Sequence, residues 1–178
     1  MIIKPTIISD VFVFEYEPHQ DERGYFTRIF CQNDFKKAGI DFIIKQVSQS
    51  FNAKKGTVRG MHFQKEPFRE QKIVQCLRGA IYDVVVDVRE NSPTYRKWIA
   101  QRLTEENKKL IYIPAGCAHG FQTLSDGSEV QYIMSEFYSP ENYTGLRWDD
   151  PLLNIQWPEV EMRIMSEQDK NWPLIHKI

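Results

Sequence analysis

A succession of short apolar or alternating stretches, each bounded by turn formers, runs along this chain, and none sustains a 3.6-residue apolar period. Ile7–Tyr16, Gly24–Phe30, Ile43–Phe51, Val58–Gln64, Lys72–Leu77, Ala80–Arg89, Trp98–Leu103, Lys109–Ile113, His119–Leu124 and Glu129–Tyr138 read as strands. Asp126-Gly127 is a hairpin signal, and Asn91-Ser92-Pro93-Thr94 is a turn. Asn33 is placed to cap a short helix through Phe35–Ala38, stopped by Gly39. After Tyr138, Pro140, Pro151, Pro158 and Pro173 break the pattern, so the tail should wrap as loops and short helices. This pattern predicts an all-β fold, a jelly-roll barrel or sandwich with a few short peripheral helices, formed by residues 1–178 as one domain.

Composition narrows the function class. With 42% hydrophobic residues the chain can bury a sizeable core, and a net charge of -1 gives no basic surplus for nucleic acid or an anionic membrane surface. An anionic ligand would need a local cationic pocket. Cys31, Cys76 and Cys117 are odd in number and widely spaced, so neither a disulfide framework nor a zinc knuckle is indicated. The opening MIIKPTIISD lacks the apolar core of a signal peptide, and no apolar run approaches the ~20 residues of a membrane helix. A cytoplasmic protein is expected.

Strand parity says which side chains meet. Asp83, Val85, Asp87 and Arg89 share one face of their strand, and Tyr82, Val84, Val86 and Val88 share the other. Val130, Tyr132, Met134, Glu136 and Tyr138 share a face, as do Gly60, His62 and Gln64. The charged side could be lumen or solvent; parity does not choose.

Two segments carry chemistry. In Gly56–Gln64 stands His62, and a lone strand histidine is more often structural than catalytic. Pro114-Ala115-Gly116-Cys117-Ala118-His119 resembles the second half-motif of the cupin superfamily, whose metal-binding members pair it with a His-x-His and a nearby Glu. Here Gln64 stands where the second histidine would be. The remaining ligands make a poor transition-metal site, so no metal is expected.

More specifically, the chain resembles the dTDP-4-dehydrorhamnose 3,5-epimerase family over nearly its whole length. The matching pieces are Asp21–Phe26, Arg59–Gln64, Gln71–Val74, Asp83 to Asp87, Ser92–Tyr95, Pro114–Phe121, Trp148–Pro151 and Ser166–Asp169. The resemblance implies a cupin jelly roll, no cofactor, and a homodimer whose N-terminal segments reach across to the partner. It implies epimerisation at C3, C5 or both of a nucleotide-linked 4-keto-6-deoxy sugar. A C–H beside a ketone needs a base of near-neutral pKa, a group to hold the enolate oxygen, and an acid on the opposite face. By resemblance His62 is the base, Asp169 its partner, Lys72 the cation at the enolate and Tyr132 the opposing acid. Asp83 either orients Lys72 or serves as a structural ion-pair partner. Arg23 and Arg59 would meet the diphosphate, Arg23 from the neighbouring subunit, with His119 and Phe26 as further substrate contacts. Tyr138 stacks on a base or sugar, or merely packs.

Four binding positions depart from the family pattern. Arg28 replaces a Glu, Ser48 follows Gln46 where an Asn is usual, Tyr143 replaces an acid, and Gln168 replaces a Lys. A carboxylate-to-guanidinium exchange inverts hydrogen-bond polarity, so a CDP-, GDP- or UDP-linked sugar, or a heptose, stands beside a dTDP-linked one as substrate. A single-centre epimerase and a non-catalytic sugar-nucleotide-binding cupin are the competing readings.

Overall fold

The computed structural model describes residues 1–177. Its strands are β1 (Ile2–Pro5), β2 (Phe12–Glu15), β3 (His19–Asp21), β4 (Gly24–Phe26), β5 (Gln46–Asn52), β6 (Val58–Gln64), β7 (Lys72–Arg78), β8 (Ala80–Asp87), β9 (Trp98–Thr104), β10 (Leu110–Ile113), β11 (Cys117–Thr123), β12 (Ser128–Met134) and β13 (Tyr143–Gly145). Two short helices, α1 (Gln32–Lys37) and α2 (Glu167–Lys170), and a 3-10 turn at Ile175–Lys177 complete it. One sheet runs β1-β2-β10-β7-β12-β5 and the other β13-β6-β11-β8-β9, every pairing antiparallel. The fold is an all-β, cupin-like jelly roll.

Parity explains the layers. Between the sheets, Val74, Ile111 and Val130 of the first meet Val85, Leu103 and Phe121 of the second in one buried cluster. The face carrying Asp83 and Asp87 therefore points inward. The valine face of β8 points outward, yet it is not solvated: Val84 and Val86 pack with Met61, Ala118, Leu146, Leu153, Ile155 and Ile175. The proline-rich tail supplies that cover. Outside the first sheet, Ile73, Leu110 and Ile133 are covered by α1 and its flanks, with Phe14 and Phe35 stacked at 4.8 Å.

Several boundaries differ from the sequence expectation. Ile7–Tyr16 is not one strand. Thr6 N–H donates to the Val11 carbonyl at 3.1 Å and Asp10 adopts φ 65°, a reversal that lets β1 pair back on β2. Asn33 lies inside α1 rather than capping it; Cys31 holds the cap position without a side-chain bond. Asp126-Gly127 turns but makes no hairpin, because β11 and β12 belong to different sheets. The turn is tied sideways instead, Asp126 accepting from Lys55 N–H and Gly127 donating to the Ala53 carbonyl. Strand β13 emerges from the tail, where no alternation announced it.

Candidate active site

Strands from both sheets deliver side chains to one cleft of about 500 Å³. On the second sheet, β6 and β11 pair with His62 directly opposite His119, both on the inward face. The two strands approach closely because both lack side chains where they touch: a Cβ on Gly60 would stand 2.5 Å from Gly120 Cα, and Gly60 holds φ +126°. On the first sheet, Lys72 of β7 pairs with Met134 of β12, and Tyr132 lies two residues along on the same inward face. His62 and Tyr132 thus enter the cleft from opposite walls.

His62 Nε2 lies 2.5 Å from Asp169 Oδ1. Asp169 is buried on α2, where Ser166 Oγ caps its backbone N–H at 3.0 Å and Trp172 Nε1 donates to Oδ1 at 3.1 Å. Burial pushes the His62 pKa below its ordinary value, with Asp169 opposing only in part. Burial would raise Asp169, but the hydrogen bond and charge of His62 outweigh it and hold the carboxyl below its usual range. At neutral pH the pair is therefore a neutral imidazole beside a carboxylate. Across the cleft, burial pushes the Tyr132 phenol up to about 12 against the bond to Ser50 Oγ, so it keeps its proton.

Lys72 Nζ sits 2.8 Å from Glu70 Oε1 and donates to the His62 carbonyl at 3.3 Å. Asp83 is not its hydrogen-bonded partner. The fully buried Asp83 carboxylate instead meets His119 Nε2 at 2.7 Å, the structural alternative, and burial raises its pKa. Of the two roles expected for Asp83, its hydrogen bond is that of the structural partner; the carboxylate paired with the ammonium is Glu70, two residues ahead of β7. Among the described residues no group of three or more His, Cys, Asp or Glu side chains gathers to hold a metal ion, and no helix is long and apolar enough to cross a membrane.

Of the expected residues, His62, Lys72, Tyr132, Asp169, Arg59, His119 and Tyr143 line this cleft. Gln46, Ser48, Tyr138 and Gln168 line an adjoining space of about 380 Å³ that shares Lys72, Tyr132 and Tyr143 with it. Tyr138 is exposed and packs edge-on against Tyr143 at 5.3 Å, while its backbone N–H reaches Gln46 Oε1. Arg23, Phe26 and Arg28 are not brought to the cleft of their own chain. Arg23 pairs with Asp21 at 2.5 Å on the exposed β3–β4 ribbon, which joins neither main sheet. Phe26 and Arg28 border a separate hollow with Tyr16 and His19. Sequence reasoning missed Ser50, Asn52, Glu70 and Trp172. Parity could have found Ser50 and Asn52, which alternate on β5 with Gln46 and Ser48; nothing in the sequence marked Glu70 or Trp172.

Residues 5–177 match a family model described as dTDP-4-dehydrorhamnose 3,5-epimerase. A curated relative of that name from Sinorhizobium fredii is 42% identical over 173 residues, 97% of this chain and 89% of the relative. A crystal structure of the Elizabethkingia anophelis dTDP-4-dehydrorhamnose 3,5-epimerase superposes with a TM-score of 0.96 at 35% identity, covering 99% of this chain and 97% of that one. The dTDP-6-deoxy-D-glucose-3,5-epimerase of Legionella pneumophila, in complex with dTDP-4-keto-L-rhamnose, gives a TM-score of 0.94 at 34% identity, covering 99% and 94%.

Proposed function

Because the chain belongs to the dTDP-4-dehydrorhamnose 3,5-epimerase family, we propose that it is an isomerase that epimerises C3 and C5 of dTDP-4-keto-6-deoxyglucose, residues 1–178 acting as one cupin-type domain. The placement of His62 and Tyr132 on opposite walls of one cleft, with Lys72 between them in the chemistry, is what most supports this reading.

The neutral His62 imidazole takes the proton from the carbon beside the ketone, and the Asp169 carboxylate stabilises the imidazolium that forms. Charge moves onto the C4 oxygen, where the Lys72 ammonium neutralises it. C3 and C5 flank the same carbonyl, so one cation serves both enolates. Tyr132 then donates its proton to the opposite face of the same carbon, and inversion results. His62 and Tyr132 exchange protons with water after each inversion, so the base and the acid are both restored before the second carbon reacts.

Arg59, exposed at the mouth of the cleft, meets the diphosphate, and the adjoining space lined by Gln46, Ser48, Tyr138, Tyr143 and Gln168 receives the nucleoside. Arg23, Phe26 and Arg28 act in the cleft of a second copy, in a homodimer whose β3–β4 ribbons cross over. The ribbon joins neither main sheet, and Phe26 and Arg28 border a hollow separate from the cleft, which supports this arrangement. Three unpaired thiols, Cys31, Cys76 and Cys117, support a cytoplasmic setting.

The test is NMR of a panel of 4-keto-6-deoxy nucleotide sugars in heavy water with the protein. Deuterium entering both C3 and C5 of the dTDP sugar, with inversion, is the expected result. Exchange at one carbon only would make the enzyme a single-centre epimerase. Preference for a CDP, GDP or UDP sugar would overturn the nucleotide assignment, and no exchange with any sugar would leave a binding module.

A further inference from the structure

A chain of hydrogen bonds along the inward face of β5 ends on Tyr132. Arg59 Nε donates to Asn52 Oδ1 at 2.8 Å. A guanidinium only donates, so this bond fixes the amide with its oxygen toward Arg59 and its nitrogen away. Asn52 Nδ2 then donates to Ser50 Oγ at 3.3 Å and to the Ser128 carbonyl at 3.2 Å. Asn52 is 1% exposed, and both of its polar atoms are used. Ser50 Oγ, having accepted from Asn52, lies 3.0 Å from the Tyr132 oxygen.

Either oxygen can donate in the last bond, and the protein groups around it favour Ser50 as the donor. Among the described residues the Tyr132 oxygen is the acceptor within reach of the Ser50 hydroxyl hydrogen. If Tyr132 donated to Ser50, that hydrogen would have no protein acceptor among the described residues, and the phenolic proton would point away from the ring to be protonated. With Ser50 donating, every bond runs the same way, from guanidinium to amide to hydroxyl to phenol.

We propose that Ser50 and Asn52 are positioning residues for Tyr132, forming a one-way donor relay that aims the phenolic proton into the cleft and solvates the phenolate left behind. The proposal rests on the reading of Tyr132 as the acid. In the step itself, the Tyr132 O–H bond breaks, the proton joins the enolate carbon, and the oxygen keeps the electron pair and accepts the Ser50 O–H bond. The positive charge of Arg59 stands at the far end of the relay. The same arginine meets the diphosphate in the function proposed above, so the anion site and the acid are joined by three hydrogen bonds rather than by chance proximity.

The relay is tested in the full-length enzyme with dTDP-4-keto-6-deoxyglucose in heavy water, counting by NMR the deuterium that enters with retention and with inversion. Retention reports the His62 side alone, and inversion requires Tyr132. For Ser50→Ala the ratio of inversion to retention should fall about tenfold, the worth of one hydrogen bond to a developing charge. Ser50→Thr, which restores a hydroxyl, should restore the ratio. In a Tyr132→Phe background, Ser50→Ala should change the ratio no further. An unchanged ratio in Ser50→Ala, failure of Ser50→Thr to restore it, or the same drop with and without the phenol would overturn the relay. A wild-type enzyme that exchanges no deuterium at all would overturn the proton-transfer reading, and the relay with it.

Discussion

Lys72 Nζ is held 2.8 Å from Glu70 Oε1, and neither side chain is more than a tenth exposed. The second carboxylate oxygen, Oε2, is buried without a hydrogen-bond partner. Attraction to the ammonium is therefore the main compensation for desolvating this carboxylate, and the carboxylate in turn limits where the ammonium can go. Removing one member of a buried pair leaves the other uncompensated. Glu70→Ala should lower the unfolding free energy by about 3 kcal/mol and cut kcat about tenfold as Lys72 loses its direction. Glu70→Gln, which keeps the shape and one acceptor, should lose less of both. Urea unfolding and steady-state kinetics check this; a Glu70→Ala protein as stable and as active as wild type would mean that Glu70 does not hold the lysine.

The His62–Asp169 pair predicts a pH dependence whose sign follows from its causes. Burial depresses the imidazole and Asp169 works against that depression. Activity should fall as pH drops through the His62 pKa, which burial holds below the ordinary imidazole value, because the protonated imidazole is no base. Asp169→Asn removes the opposing charge and leaves burial unchecked. Its acid limb should move to lower pH while kcat falls about a hundredfold, since the imidazolium loses its counter-charge. A kcat/KM profile reads both; an acid limb moving to higher pH would contradict the role of Asp169 in raising the imidazole pKa.

Asp87 carries a stability prediction of the opposite kind, remote from the chemistry. Burial alone would raise its pKa. Bonds from Arg89, Ser92 and Thr94 overcome this and hold it at about 2. A carboxylate depressed from 3.8 contributes stability that is present above its unfolded pKa and is lost as pH falls through the folded one. That contribution is about 2 kcal/mol at neutral pH, and it should vanish between about pH 4 and pH 2. Asp87→Asn should flatten the acid limb of stability in that window. Thermal melts of the two proteins at matched pH values would show no such difference if the network were only incidental.

How far this could be seen in the chain alone differs by element. Strands β6 to β8 were legible to within a residue or two, because each carries apolar residues on its outward face, covered by the tail over β6 and β8 and by α1 and its flanks over β7. Strand β1 was not, because Ile7–Asp10 has the apolar content of a strand and reverses only through the left-handed Asp10. Asp126-Gly127 has the chemistry of a hairpin turn, and local chemistry cannot say that the flanking strands separate into different sheets. The proton-transfer residues came from a resemblance, since Asp169 is 107 residues from His62 and no spacing relates them. Glu70 escaped for a related reason: a charged loop residue reads as solvated until the fold buries it.

The exposed ribbon supplies the most demanding prediction. Phe26 is 71% exposed, and the Arg23 side chain pairs with Asp21 on the same exposed ribbon. In the proposed dimer each cleft is completed by the partner's ribbon. Arg23→Ala and His62→Ala homodimers should then both be poorly active, for different reasons. A mixed dimer would contain one ruined site, with the altered histidine and the altered ribbon together, and one intact site assembled from the unaltered parts of both chains. Random mixing makes about half of the dimers mixed, so activity should recover to about a quarter of wild type after joint unfolding and refolding. Mixing without exchange of subunits provides the control. If the ribbon served its own chain, each mixed dimer would hold one site lacking the base and one lacking the arginine, and activity would stay at the mean of the two parents.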